Sequence, residues 1–135
     1  MMILAANLTA QPGLSVEDFK FVEKCWQISQ EGEVLADHAK DHIQTCWPTL
    51  VRLADSKFPE VRWQVYEVLG ETEMMGDQIL RAGLDDIDGY CRRRAILSLA
   101  RLNPADAKEL ASRFANDLDP YIRQAAKELL KRQVN

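Results

Sequence analysis

His38 and His42 stand four residues apart, with Asp37, Asp41 and Cys46 close by. On a helix this spacing puts both imidazoles on one face, where a divalent cation could use them. The zinc-protease pattern, however, needs Glu directly after the first His, where Ala39 stands, and structural zinc takes four ligands at matched spacing. A solvated helix face is the better reading, and no metal is assigned. The chain has no Gly-rich phosphate loop, no Gly-x-Ser-x-Gly and no Cys at a spacing that predicts a His partner. Asp85, Asp86 and Asp88 crowd one turn, where capping is a simpler use of carboxylates than paired acid–base work. The expectation is a protein that is not an enzyme, with no catalytic residue and no cofactor.

What these residues are mounted on is a repeat. Phe58-Pro-Glu-Val-Arg-Trp-Gln-Val-Tyr-Glu-Val-Leu69, Asp88-Gly-Tyr-Cys-Arg-Arg-Arg-Ala-Ile-Leu-Ser-Leu-Ala100 and Asp119-Pro-Tyr-Ile-Arg-Gln-Ala-Ala-Lys-Glu-Leu-Leu130 align with Pro59, Gly89 and Pro120 in register, at periods of 30 and 31 residues. Three positions after each turn residue comes Arg62, Arg92 or Arg123. An apolar residue precedes each (Val61, Cys91, Ile122), another follows three later (Val65, Ala95, Ala126), and Leu69, Leu99 or Leu130 closes each copy. Self-similarity at such a period marks units that bury their apolar faces by stacking on neighbours.

The three copies resemble HEAT repeats, and their short period looks most like the E-Z type of the phycobilisome-lyase family of bacterial proteins. The likeness covers roughly residues 45 to 133. It implies an all-α fold, a right-handed α-solenoid of short helical hairpins with about eight helices. It also implies a structural ladder in which Asp86 and Asp117 pair with Arg92 and Arg123, six residues on; Ser56 takes that place before Arg62. In this family the second helices of the hairpins line the concave surface. The resemblance further suggests an accessory role like that of bilin lyases. DNA-alkylation-repair glycosylases of HEAT-like fold set aromatic residues and a carboxylate in a basic groove, which Trp63 and Glu67, four apart, could echo; this chain is shorter and has Glu where those enzymes have Asp.

A length of 135 residues suits a single domain, 1–135, and 47% apolar with 28% charged residues describes a globular chain able to build a core. Within it, 15–46 reads as an N-terminal helical pair, a degenerate unit or cap, and 47–133 as the three repeats. Three cysteines, Cys25, Cys46 and Cys91, include no Cys-x-x-Cys pair and read as free thiols in a reducing compartment. The opening Met1 to Ala10 is apolar but carries no Lys or Arg and is too short for a signal peptide, so the expected location is the cytoplasm, with no spanning segment.

Gln11-Pro-Gly13 predicts a turn, and Ser15 with Asp18 a capping-box-like helix start. That helix is expected to run to about Gln30, with Phe19, Val22, Cys25, Trp26 and Ile28 on its stripe and Gly32 as its stop. A second follows over about Glu33 to Thr45, with Val34, Leu35, Ala39 and Ile43 inward and Asp37 and Asp41 outward. Pro48 is placed in the first turn of the next helix, Thr72 as the cap of the following one, which runs to about Leu84, and Asn103-Pro104 at the start of a third. No stretch alternates with period two for long enough to predict a strand.

Charge separates along this framework. The stretches 59–69, 89–102 and 120–133 carry a net +6, and the remainder of residues 58 to 135 carries −7, although the whole chain is −4. Together with the implied concave surface, this points to a basic groove on an acidic body. Setting aside the ladder arginines leaves Arg93, Arg94, Arg101, Lys127, Lys131 and Arg132. Trp63, Tyr90, Leu97, Tyr121 and Gln124 accompany them, and aromatic and Arg side chains are what interface hot spots are made of. The expected partner-binding set is Trp63, Tyr90, Arg93, Arg94, Leu97, Arg101, Tyr121 and Gln124. The expected partner is a protein with an acidic surface, bound by an adaptor, accessory or inhibitor. The net negative charge argues against nucleic acid and against an anionic membrane. Nucleic-acid binding with or without base excision, a bilin-lyase-like accessory and a toxin-immunity protein stand as alternatives. The oligomeric state is left open.

Overall fold

The computed structural model describes residues 2–72 and 76–134. Among them the fold is all-α, with nine α-helices, one 3-10 turn and no strand. The chain divides into two compact units, Met1–Val68 and Leu69–Asn135. No helix among the described residues is long and apolar enough to cross a membrane.

The first unit contains α1 (Met2–Thr9), α2 (Val16–Gln27), α3 (Ser29–Asp41), α4 (Ile43–Leu53) and most of α5 (Pro59–Gly70). Helix α1, on a stretch for which the sequence predicts no element, packs on α2, α3 and α4. Its buried face is Ala5 and Thr9; the Thr9 hydroxyl donates to the Ala5 carbonyl at 2.7 Å and accepts from the Trp26 indole at 3.4 Å. This gives the fully buried Trp26 the partner that a buried indole N–H needs. Ser15 caps α2 as expected, accepting from the Asp18 amide at 3.1 Å.

Helix α2 stops at Gln27, however, and Ile28 is extended and exposed. The inward positions are Val22, Cys25 and Trp26, and Ile28 is out of phase with them. Gly32 therefore lies inside α3 rather than after a helix, and Val34, expected inward, is exposed while Leu35, Ala36 and Ala39 are buried. The break at Ile28 is supported by Gln64 of α5, whose amide donates to the Trp26 carbonyl at 2.7 Å, one of the last-turn carbonyls that a helix end leaves without a partner. Pro48 is not in a first turn: α4 starts at Ile43, after His42, whose side chain makes no cap hydrogen bond. The missing N–H of Pro48 costs the carbonyl of Gln44 its intrahelical donor at an exposed residue.

The second unit holds the end of α5, then α6 (Asp77–Gly83), α7 (Gly89–Leu102), the 3-10 turn Pro104–Asp106, α8 (Ala107–Phe114) and α9 (Pro120–Val134). Helix α7 is its centre and touches α6, α8 and α9. Among the described residues Thr72 caps no helix. Its hydroxyl donates back to Leu69 at 3.4 Å; the helix start expected just after it falls on residues 73–75, outside the described residues, and α6 begins after Gly76. Asn103 likewise makes no side-chain cap. It donates to Asp77 at 3.4 Å, and Pro104 opens a 3-10 turn before α8. The closing leucines Leu69 and Leu99 are buried, but Leu130 is 45% exposed and its neighbour Leu129 is buried instead. Leu129 is in register with Val68 and Ser98, which are buried too.

One turn geometry starts α5, α7 and α9. In each, a side-chain oxygen accepts from the amide two residues on: Ser56 from Phe58 at 3.2 Å, Asp86 from Asp88 at 2.9 Å, Asp117 from Asp119 at 2.8 Å. In each, the repeat arginine six residues on donates to the main-chain carbonyl of that same residue: Arg62 to Ser56 at 2.9 Å, Arg92 to Asp86 at 2.8 Å, Arg123 to Asp117 at 2.6 Å. Ser56 thus does the work of the two aspartates, since the turn needs an oxygen within reach of its own backbone and both residue types supply one. The helices then start on Asp88 and Asp119 caps, which accept from Cys91 and Tyr121 amides at 2.9 and 2.8 Å. Val61, Cys91, Ile122, Val65, Ala95 and Ala126 are all buried, as the repeat pattern expects.

Candidate functional site

Of the expected site residues, all but Trp63 lie in the second unit, on α7 and α9. Tyr90, Arg94, Leu97 and Arg101 follow at steps of four, three and four, which makes one stripe along α7, turned away from the row of buried Cys91, Ala95, Ser98 and Leu99. Tyr90 is 41% exposed, and its hydroxyl accepts from Arg94 at 2.8 and 3.1 Å, with the guanidinium 5.3 Å from its ring centre. This contact orders Arg94 before any partner arrives. Leu97 is half-buried, and Arg101 is exposed and reaches Glu71 at 3.3 Å.

Arg93 is half-buried, and its buried Nε has no hydrogen-bond partner. On α9, Tyr121 is 67% exposed and Gln124, Lys127, Lys131 and Arg132 are exposed. Residues 69–135 hold eleven basic and eleven acidic side chains, against six and ten in 1–68, so the chain's negative charge belongs to the first unit and the second is neutral but polarised.

The ladder residues meet in a more specific way than carboxylate on guanidinium six apart. Arg123 takes the Asp117 and Leu118 carbonyls at 2.6 and 3.1 Å, and the Asp117 carboxylate faces Arg92 of the preceding copy at 3.9 Å. Gly89 sits where successive copies touch, because a Cβ there would collide with the Asp119 carboxylate. Three further ion pairs tie this unit together, Arg113 to Asp85 at 3.3 Å and Arg81 to Asp77 and to Asp106 at 2.8 and 3.1 Å. The Asp77 hydrogen bond, then that of Asp106, holds the Arg81 guanidinium above its ordinary range.

Where α7 and α9 end, Ala100, Arg101, Pro104, Ala107, Leu129 and Arg132 line a cleft of about 220 Å³. Its floor is apolar and two guanidiniums border it. Glu71 is outside the expected groove, and Arg132, one of its basic residues, is outside the expected partner-binding set. The signal for them is the repeat itself: Glu71, Arg101 and Arg132 are spaced 30 and 31 residues apart, the period of the copies.

In the first unit Trp63 and Glu67 are both half-buried on α5, and Tyr66 is buried. His38 and His42 stack at 4.3 Å, and the His42 Nδ1 lies 3.0 Å from the His38 carbonyl. Among the described residues, no group of three or more His, Cys, Asp or Glu is arranged to hold a metal ion. All three cysteines are buried, and none is in a disulfide. Burial pushes the Cys46 thiol above its ordinary value, only partly offset by a hydrogen bond with Thr45, which disfavours the thiolate that a ligand or nucleophile needs.

Comparison with known proteins finds no matching family model, no matching curated protein and no matching solved structure.

Proposed function

We propose that this is a non-catalytic binding protein that uses the Arg- and Tyr-bearing sides of α7 and α9 to hold an acidic protein surface, as an adaptor, accessory or inhibitor. The reading takes the three copies as HEAT-type hairpins stacked in a right-handed solenoid, with these helices on its concave side. The observation that carries it is the state of the α7 arginines. Arg94 is held against Tyr90, so little side-chain freedom is left to lose on binding, and Arg93 presents a buried donor with no acceptor. Both features lower the cost of taking up a carboxylate. Supporting it are the exposed Tyr121 and the cations of α9, the residue types that dominate binding energy at interfaces.

The test is the triple change Arg93→Glu, Arg94→Glu and Arg101→Glu, read by cross-linking capture of acidic proteins from the source cell and by circular dichroism. We expect unchanged helix content and loss of the proteins that the parent chain captures. Undiminished capture by the triple variant would move the site off α7. Micromolar binding to mixed-sequence oligonucleotides that weakens steeply, by ~10³-fold or more, between 50 and 200 mM salt would replace the protein partner with nucleic acid.

A further inference from the structure

We propose that the cleft at the ends of α7 and α9 is a receptor for the C-terminal carboxylate of a partner polypeptide that ends in a branched aliphatic residue. Arg132 takes the carboxylate and the floor of Ala100, Pro104, Ala107 and Leu129 takes the side chain. The assignment rests on the reading of the second unit as a protein-binding surface and gives that surface its anchor.

The argument starts from register. Glu71, Arg101 and Arg132 occupy the same place in three successive copies, and in the first step of that series a carboxylate meets a guanidinium, with Arg101 donating to Glu71 at 3.3 Å. The next step brings a second guanidinium where the pattern would want a second carboxylate. Arg132 lines the same cleft as Arg101, and no hydrogen bond or ion pair holds it among the described residues. Arg101 is already paired with Glu71, so Arg132 is the uncompensated charge at the apolar cleft, and a bound anion would give it a partner. A position in the last turn of a helix accounts for a base at each helix end, because the terminal carbonyls favour a cation. It does not account for the apolar cleft the two bases share.

Size and lining then select the anion. Ligand pockets for drug-sized molecules run to about 300–1,000 Å³, and about 220 Å³ suits a single residue. Ala100, Ala107 and Leu129 are buried, so the floor offers apolar contact and no hydrogen-bonding side chain. An internal Asp or Glu would supply the carboxylate but lay only methylene on that floor. A terminal leucine or valine carries a carboxylate and a branched apolar group on one Cα, which matches a cleft that presents both surfaces within one residue's reach. A free aliphatic acid shares this chemistry; the chain terminus is favoured because the α7 stripe continues from Arg101 to Leu97 and Arg94, surface for the residues that precede it.

The test uses the full chain and a fluorescein-labelled Ser/Ala pentapeptide ending in leucine, compared with its C-terminal amide and with free 4-methylpentanoate as competitor, by fluorescence anisotropy. The acid peptide is expected to bind and the amide to bind at least about tenfold more weakly, and Arg132→Gln should weaken the acid peptide about tenfold with helix content unchanged. Failure of the acid peptide to bind, equal binding of acid and amide, or indifference to Arg132→Gln overturns the proposal. Competition by 4-methylpentanoate at the peptide's own concentration would overturn the chain-terminus assignment in favour of a small carboxylate. A Glu-rich peptide with an amidated end, measured against the Arg93→Glu/Arg94→Glu variant, keeps the two readings apart. Binding of that peptide alone leaves the α7 face standing and removes the cleft; binding of the leucine-ended peptide alone does the reverse.

Discussion

Replacing Arg92 by Met removes a guanidinium while keeping most of the side-chain stem, and so isolates what the repeat arginine does. In the folded chain Arg92 donates to the Asp86 carbonyl at 2.8 Å and to Ile87 at 3.3 Å, and lies 3.9 Å from the Asp117 carboxylate. A hydrogen bond to a charged donor contributes roughly 1.5–3 kcal/mol. The ion pair is long and partly solvated, and pairs of that kind contribute about 0–1 kcal/mol. The expected loss is about 2–3 kcal/mol. For a chain of 135 residues this corresponds to a Tm lower by roughly 10 °C. Arg94→Met is the matched control: it removes a guanidinium from the same helix, one that donates to the Tyr90 hydroxyl at the surface, and should cost under about 1 kcal/mol. Chemical denaturation of both variants, with thermal melting followed by circular dichroism, gives the comparison. If Arg92→Met and Arg94→Met denature within experimental error of each other, the turn-to-arginine hydrogen bond does not hold the hairpins and the common geometry of the three copies is incidental.

Two further changes test packing in each unit separately. Gly70→Ala places a Cβ against Ser98, whose Cα would stand only 2.9 Å away; because backbone has to move, overpacking of about 1–3 kcal/mol should outweigh the ~1 kcal/mol gain in helix propensity, and denaturant titration should show a net loss. Gln64→Ala strips the Trp26 carbonyl of its donor and should lower stability by about 1–3 kcal/mol, with faster amide exchange at the end of α2; unchanged exchange there would mean that Gln64 does not secure that helix end.

What could be read from the sequence was what repeats. Period, turn residue, buried flanks and the arginine recur three times, so each copy corroborates the others, and the α5, α7 and α9 boundaries follow to within a residue or two. Ser56 shows how composition alone misleads. Compared as charges, Ser56, Asp86 and Asp117 differ, but as backbone-directed oxygens they are the same group. The misplacements fall where nothing repeats. The α2 break at Ile28 depends on Gln64, 36 positions later, supplying a donor to Trp26. Proline favours first turns, so Pro48 reads as a helix start, whereas tertiary burial of Cys46, Thr49, Leu50 and Leu53 carries α4 through it. Leu129 and Leu130 are interchangeable as letters, and only the direction of α9's apolar face decides which is buried.

The same distinction applies to charge. A net +6 over the three repeat helices reads as a uniformly basic surface, yet its cations are in different states. Arg62, Arg92 and Arg123 are committed to turn carbonyls, Arg101 to Glu71, and Arg94 to a tyrosine. Among the described residues no ion pair holds Arg93, Lys127, Lys131 or Arg132, which leaves those four as the charges a partner can neutralise without first displacing a carboxylate. Long-range attraction depends on the summed charge, which is near zero for residues 69–135, so steering of an acidic partner should be weak and its association rate only mildly salt-dependent. Binding energy has instead to come from the few places where a donor is buried or an apolar floor adjoins a cation. In the second unit those places are Arg93 and the Arg132 cleft, and for that reason the loss of one guanidinium at either should matter more than the loss of any lysine on α9.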